Sequence, residues 1–373
     1  MIWLALAACL AWGVLLLGRG MFWRGRDDDR DAASLPEPAH WPVIQIIIPA
    51  RDEAETIGVT VQTLVMQDYP GVFRILVVDD RSTDETGHLA REAGAEVLTG
   101  RDKAPGWSGK LYALQQGLEV VAGRDHDFLL LTDADITHSP DSLRRLVQRA
   151  EADRLDLVSL MVRLRCESMA ERWMIPAFVF FFQMLHPFRW SNDPGARTAA
   201  AAGGCVLLRR VALEACGGLH PIRGRIIDDC ALAGMMKAGG GRIWLGLTGR
   251  VHSLRAYPDL GAIQAMVVRT AYAQLRYNPL LLLGMFLALA LVFLAPPGLA
   301  IFGAGAAKLL GALAWAAMVL AYAPMLRRFG LAAERGIVLP LVAAAYLAFT
   351  LDSALAEWRG QGGLWKGEAL SRE

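Results

Sequence analysis

Residues 128–135 read FLLLTDAD. A short apolar run that stops at an acid-x-acid pair reads as a buried strand with carboxylates at its carboxyl end. In an extended segment, residues i and i+2 project to one side. Asp133 and Asp135 are therefore expected to share a face, where two hard oxygen donors suit Mg²⁺ or Mn²⁺ and leave room for phosphate oxygens. Upstream, 74–86 reads RILVVDDRSTDET and repeats the pattern, with Asp79 and Asp80 after an apolar strand. Further upstream, 43–53 reads VIQIIIPARDE, a third apolar strand that Pro49 is expected to end, followed by Ala50, Arg51, Asp52 and Glu53. Each acidic cluster taken singly is equally well explained as a helix cap. Three at three strand ends repel one another unless a cation or cationic side chains are present.

Helical periodicity separates these strands, at 55–66, 84–93 and 111–122, and 95–99 reads as one more short strand. The β-α-β-α alternation predicts an α/β fold with a mostly parallel, Rossmann-like sheet covered by helices. In such sheets ligands bind beyond the carboxyl ends of the strands, which is where the acids lie.

The chain has 373 residues, 54% of them hydrophobic and 20% charged, with a formal net charge of +1. Mean hydropathy is +0.33. This is too apolar for disorder, too charged for a chain embedded throughout, and carries no basic field for nucleic acid. Nearly all charge falls between Arg19 and Arg276, and apolar runs occupy both ends. Residues 2–17 are uncharged and precede Arg19, Arg24 and Arg26. With no positive n-region and no clear cleavage site, they read as an uncleaved anchor that leaves the next domain in the cytoplasm. Residues 279–302, 307–325 and 337–351 each approach the length of a membrane span. Three spans put the tail outside, whereas Arg359, Lys366 and Arg372 favour the inside, so the side of the tail stays open. The expected organisation is an anchor at 1–18, a Pro-containing linker at 19–42, a globular domain at 43–277, spans within 278–356, and a basic tail at 357–373. The aromatic stretch 173–190 reads either as a buried core helix or as an interfacial helix resting on the membrane. Five cysteines without a CxxC pair argue against a zinc site or a disulfide framework.

The segments PARDEAETIG (49–58), VVDDRSTDET (77–86), GWSGKLYAL (106–114) and LLTDAD (130–135) resemble the family 2 glycosyltransferases, and GGCVLLRRVALEACGG (203–218) with IIDDCAL (226–232) is similar to the second half of their domain. With one N-terminal and about three C-terminal transmembrane helices, the chain looks most like the hopanoid-associated branch, related to ceramide glucosyltransferases. The resemblance implies a GT-A nucleotide-sugar-binding domain over about 43–277. It implies inverting, metal-dependent transfer from a nucleotide sugar, expected to be a UDP-sugar, to a membrane lipid such as a hopanoid. The place implied is the cytoplasmic face of a bacterial inner membrane.

By that resemblance Pro49, Ala50, Arg51 and Glu53 line the base and ribose pocket. Asp80, with Asp79 beside it, accepts from the base, and Lys110 approaches the diphosphate. Asp133 and Asp135 hold Mg²⁺ or Mn²⁺. Asp229 is the general base, with Asp228 as its neighbour; without the resemblance this pair reads as an acidic helix N-terminus. Many relatives carry Gln-x-x-Arg-Trp before the spans. Here Gln274-Leu275-Arg276-Tyr277 is one residue shorter, and Arg276 either reaches phosphates or flanks the membrane. Two other classes remain: a membrane nucleotidyltransferase, which needs no base at Asp229, and a non-catalytic nucleotide-binding scaffold.

Overall fold

The computed structural model describes residues 1–30 and 34–360, with the backbone of 364–365 and 368–369. It divides into two compact units. An α/β unit takes in Asp27–Arg165 and Trp190–Arg255, and a helical unit takes in Met1–Arg26, Cys166–Arg189 and 256–360. The stretches 166–189 and 256–277, read above as part of the globular domain, group with the helices.

The α/β unit is built on one eight-stranded sheet. Its strands are β1 (Ile44–Ala50), β2 (Phe73–Asp79), β3 (Glu96–Thr99), β4 (Phe128–Thr132), β5 (Ile136–His138), β6 (Leu157–Arg163), β7 (Cys205–Arg209) and β8 (Ile243–Ser253), in the order β3-β2-β1-β4-β7-β6-β8-β5. The four strands from β3 to β4 are parallel, as the alternation of strands and helices implies. β7 runs antiparallel to β4 and to β6, and β5 antiparallel to β8, so the sheet as a whole is mixed.

Every residue of β1 is buried, which a β-branched run achieves only when both faces of the sheet are covered. Ile46 and Ile48 enter one core layer with Val61 and Leu64, while Ile47 enters the other with Leu111 and Leu114. The strand does not end at Pro49 as expected but continues to Ala50, whose carbonyl accepts from the Asp80 N–H at 2.8 Å. Pairing of β1 with β4 stops at Ile47, so the side on which Pro49 lacks a donor has no ladder bond to lose. Residues 27–29, inside the stretch read as a linker, lie along β8: Leu247 N–H donates to the Asp27 carbonyl and Asp29 N–H to the Leu247 carbonyl.

The helical unit contains three helices long and apolar enough to cross a membrane, Pro279–Phe302, Gly305–Arg328 and Ala333–Trp358, and a shorter apolar helix at Ile2–Gly18. Small residues face inward on these helices, including Ala5, Ala8, Ala314 and Ala321. Large apolar ones such as Leu10, Leu280, Phe302 and Leu320 face out. Close backbone approach at small residues suits packing in a hydrocarbon solvent, and large side chains such as Trp12, Phe293, Met318 and Tyr322 fill the rest of the interior. The N-terminal helix is tied to the C-terminal ones: Trp12 Nε1 donates to the Val292 carbonyl at 2.8 Å, and its ring meets Phe293 edge-on at 5.8 Å. The aromatic stretch forms the helix Met169–Leu185, opened by a capping box between Ser168 and Glu171. Its Phe180 meets Tyr322 edge-on and Phe22 at a tilt, and its Met174 carbonyl accepts from Tyr346 Oη. Lys366 and Arg372, on which the side of the tail was argued, lie outside the described residues. All five cysteines are free, Cys205 fully buried.

The α/β core depends on one close approach. The helix Gly109–Val121 comes so near the sheet at Gly117 that an added Cβ would lie 2.7 Å from Ile47 Cγ2 and 3.1 Å from Val78 Cγ2. Both contacts are β-branched core side chains with no room to turn. Gly117→Ala gains about 1 kcal/mol of helix propensity against an overpacking cost of about 1–3 kcal/mol. Thermal unfolding of the detergent-solubilised protein should therefore show a lowered melting temperature. An unchanged or raised value would mean the helix can back away from the sheet.

Candidate active site

Because β1, β2 and β4 are parallel, their carboxyl ends open on one edge of the sheet, and the loops that follow are laced together. Asp52 N–H donates to Ser82 Oγ at 3.0 Å, and Thr83 N–H donates to Asp52 Oδ1 at 2.7 Å. Glu53 N–H donates to Thr86 Oγ1 and Ala54 N–H to Asp84 Oδ2. Asp52 and Arg81 both take left-handed backbone, with φ of 49° and 57°, a conformation that costs a non-glycine residue about 1–3 kcal/mol and persists only where the surroundings hold it. Asp79 accepts from the Ser82 N–H at 3.0 Å. Asp80 is buried, with Arg51 at 3.8 Å and Arg81 Nε at 3.4 Å from its carboxylate. Pro49, Ala50, Arg51, Glu53, Asp79 and Asp80 thus meet at one place, as expected of neighbouring strand ends.

The second half of the site comes from β7 and the helix Asp228–Ala238. The antiparallel pairing sets Thr132 opposite Cys205, which brings Gly203 and Gly204 beside Asp133. Gly203 N–H donates to Asp229 Oδ2 at 2.9 Å, and Cys230 N–H donates to Asp229 Oδ1 at 2.7 Å. A Cβ on Gly203 would lie 3.3 Å from Lys110 Nζ and 3.5 Å from the Asp229 carboxylate, so this glycine is where the two halves of the site are allowed to close. A pocket between them is lined by Pro49, Lys110, Asp133, Gly203, Asp228 and Asp229, floored by the apolar side chains of Leu111, Leu131 and Leu232.

Lys110 stands in the first turn of the helix Gly109–Val121, which Ser108 caps. Its Nζ lies 2.7 Å from Asp133 Oδ1 and 3.5 Å from Asp228 Oδ2. Burial works against its charge, but Asp133, Asp228 and Asp229 outweigh it and hold the ammonium above its ordinary pKa. Burial raises Asp133 despite Lys110, and the charges of Asp135 and Asp228 push the same way. Burial and the Asp228 charge likewise lift Asp229, to about 6, against the two N–H donors and Lys110.

Asp133 and Asp135 do not sit as an extended pair. Residues 134–135 form a turn into β5, so period-two alternation does not apply, and each acid takes its own cation. Asp133 has Lys110. Asp135 has Arg255, whose Nε lies 2.7 Å from Asp135 Oδ2 and whose Nη2 lies 2.9 Å from Glu53 Oε1. Arg255 escaped the sequence analysis because nothing local marks it: it is one arginine of many, just past a long strand, and only the β5–β8 pairing carries it to Asp135. Arg276 belongs to the helical unit. It follows the short helix Ala271–Gln274, and it and Tyr277 both adopt left-handed backbone.

Among the described residues no three His, Cys, Asp or Glu side chains form a ready metal cage. Two carboxylates completed by substrate phosphates are nonetheless the donor set a hard divalent cation commonly uses. Glu53, Asp133, Asp135, Asp228 and Asp229 outnumber Lys110 and Arg255, so the site has negative charge to spare. The residues fit the ion.

Residues 45–217 match the sequence model of Glycosyl transferase family 2. A 4,4'-diaponeurosporenoate glycosyltransferase of Staphylococcus aureus (strain bovine RF122 / ET3-1) is 39% identical over 95 residues, 25% of this chain and 24% of the relative. The enzyme of the same name from strain MRSA252 is likewise 39% identical over 95 residues, with the same coverage. The similarity thus spans about a quarter of these relatives' length. Among solved structures, the mannosyltransferase PcManGT from Pyrobaculum calidifontis, in complex with GDP-Man and Mn²⁺, superimposes with a TM-score of 0.54 at 21% identity. That likeness covers 98% of this chain and 100% of the other, and at such identity it speaks for the fold. The family model thus covers residues 45–217, the segment that runs from β1 to β7 and holds the acidic strand ends.

Proposed function

We propose that this protein is an inverting, metal-dependent glycosyltransferase that moves a sugar from a nucleotide sugar to a membrane lipid at the cytoplasmic face of a bacterial inner membrane. The observation that carries the reading is Asp229, a half-buried carboxylate oriented by the Gly203 and Cys230 N–H groups and raised by its surroundings beside Asp228. A group so held, with a pKa brought up toward the working pH, suits a general base. A nucleotide-binding scaffold has no use for it.

Pro49, Ala50, Arg51, Glu53, Asp79 and Asp80 are assigned to the base and ribose, with a UDP-sugar as the expected donor. Lys110 meets the diphosphate as a point charge. Asp229 takes the proton from an acceptor hydroxyl while that oxygen bonds to the anomeric carbon. The bond from that carbon to the diphosphate breaks on the opposite face, so the configuration inverts in one displacement. Asp228 keeps Asp229 basic by its negative charge. A divalent cation held by Asp133 and Asp135 would supply positive charge against the departing diphosphate. The three apolar helices supply the route to a lipid acceptor. The carotenoid-derived name of the relatives and the resemblance to the hopanoid-associated branch both favour an isoprenoid-derived lipid.

The test uses detergent-solubilised full chain with Mn²⁺ or Mg²⁺, a panel of UDP- and GDP-sugars, and total bacterial lipid. Lipid-dependent release of nucleoside diphosphate is expected, and Asp229→Asn should lose about 10²–10⁴-fold in kcat while still binding nucleotide. Pyrophosphate release from nucleoside triphosphates, with Asp229→Asn fully active, would replace this reading with a nucleotidyltransferase.

The base must be deprotonated to act, so kcat/KM should rise with pH through the Asp229 pKa of about 6. Asp228→Asn removes a charge that raises it, so the acid limb should move to lower pH even if the maximum falls. A limb that stays in place would assign the titration to another group.

A further inference from the structure

Arg255 is left without a task by the chemistry above, yet its placement is specific. Its guanidinium bridges Asp135 and Glu53 with one hydrogen bond to each. Its backbone is anchored to the same acid, because the Leu254 N–H donates to the Asp135 carbonyl at 2.8 Å, and the Arg255 N–H donates to Ser253 Oγ at 3.2 Å. The Arg255 side chain is 43% exposed, whereas those of Asp135 and Glu53 are 11% and 14% exposed. The guanidinium is therefore the outer layer over a buried acid, Asp135, and a largely enclosed one, Glu53. Lys110 differs: its side chain is 23% exposed and sits inside the pocket between Asp133 and Asp228.

Resting on the glycosyltransferase reading, we propose that Arg255 is an exchangeable counter-cation. It covers Asp135 and Glu53 while the donor site is empty, and it transfers its guanidinium to the diphosphate of the incoming nucleotide sugar as the divalent cation takes its place on Asp135.

Three physical points support this. A guanidinium hydrogen-bonded to Asp135 Oδ2 and a metal ion on that oxygen exclude each other. An ion pair whose cation is nearly half exposed is worth little net, so the exchange costs little. Arginine's planar fork matches two phosphate oxygens as well as it matches carboxylates, and the backbone anchor on Asp135 keeps the side chain within reach of both. The exchange also keeps the buried acids covered in both states, which avoids an empty site with unopposed carboxylates.

Mn²⁺ binding is measured by electron paramagnetic resonance on the full chain in detergent, with and without UDP or GDP, for wild type, Arg255→Ala and Arg255→Lys. Removal of the competing cation should tighten Mn²⁺ binding roughly tenfold in the absence of nucleotide, the scale of one charge-assisted hydrogen bond. The same Arg255→Ala change should weaken nucleoside diphosphate binding in the presence of Mn²⁺ by roughly tenfold. Arg255→Lys, which keeps the charge and loses the fork, should fall between on both and retain the wild-type melting temperature. Opposite signs for the two ligands are the signature of exchange. Unchanged Mn²⁺ affinity in Arg255→Ala would overturn the proposal, as would a parallel loss of both affinities in Arg255→Lys, which marks a purely structural bridge. Either outcome leaves the glycosyltransferase reading standing so long as wild type binds UDP or GDP. If folded wild type binds neither with Mn²⁺, that reading and this one fall together.

Discussion

Glu53, Asp133, Asp135, Asp228 and Asp229 come to one edge of the sheet because parallel strands end there and β7 turns back beside them. Five carboxylates in one partly buried place repel one another, and burial makes each charge dearer still. Lys110 and Arg255 make the arrangement tenable, one from the inside between Asp133 and Asp228, the other as a bridge from Asp135 to Glu53. Stripping an enclosed charge of its partner is costly, so Lys110 holds its loops together as well as preparing the chemistry, whereas the half-exposed Arg255 bridge contributes little net. The lacing of the β1 and β2 loops through Asp52, Ser82 and Thr83 serves the same end, since it offsets the left-handed strain at Asp52 and Arg81.

The same balance explains why Asp229 stands apart. It is the acid held by backbone donors rather than by a direct ion pair: two N–H groups fix its orientation, and Lys110 acts on it only across space. A carboxylate in a direct salt bridge has a neighbouring cation working against the rise that burial imposes, as Lys110 does at Asp133. One held by neutral donors in a buried place beside another acid is lifted toward the pH at which proton transfer is useful. Gly203 suits this closeness, since an added Cβ would crowd Lys110 Nζ at 3.3 Å.

The helical unit carries three helices long and apolar enough to cross a membrane. Its interior mixes small residues such as Ala5 and Ala321 with large ones such as Phe293 and Tyr322, and polar contacts join its helices: Trp12 on the Val292 carbonyl, Tyr346 on the Met174 carbonyl, Gln264 on Asp352. Gly311 lets its helix approach Leu299 and Ala300 to within contact that a Cβ would forbid. These are the means by which helices associate where there is no hydrophobic drive to do so.

The amino-acid sequence by itself determined what depends on local pattern. Short apolar runs gave β1, β2 and β4 to within a residue or two, periodicity gave the helices between them, and long apolar stretches gave the three C-terminal helices. The parallel order of those strands then placed Pro49 through Glu53, Asp79, Asp80 and Asp133 on one edge without further help. What only the tertiary structure decided is which charge faces which. β5 to β8 carry weaker patterns, and the reversal at β7 and the pairing of β8 with β5 join residues far apart in the chain. Through them Gly203 meets Asp229, Lys110 settles on Asp133 and Asp228, and Arg255 reaches Asp135 and Glu53. An ion pair has no periodicity and no fixed spacing along the chain; it depends on distance in space, and that distance exists only once the sheet has closed.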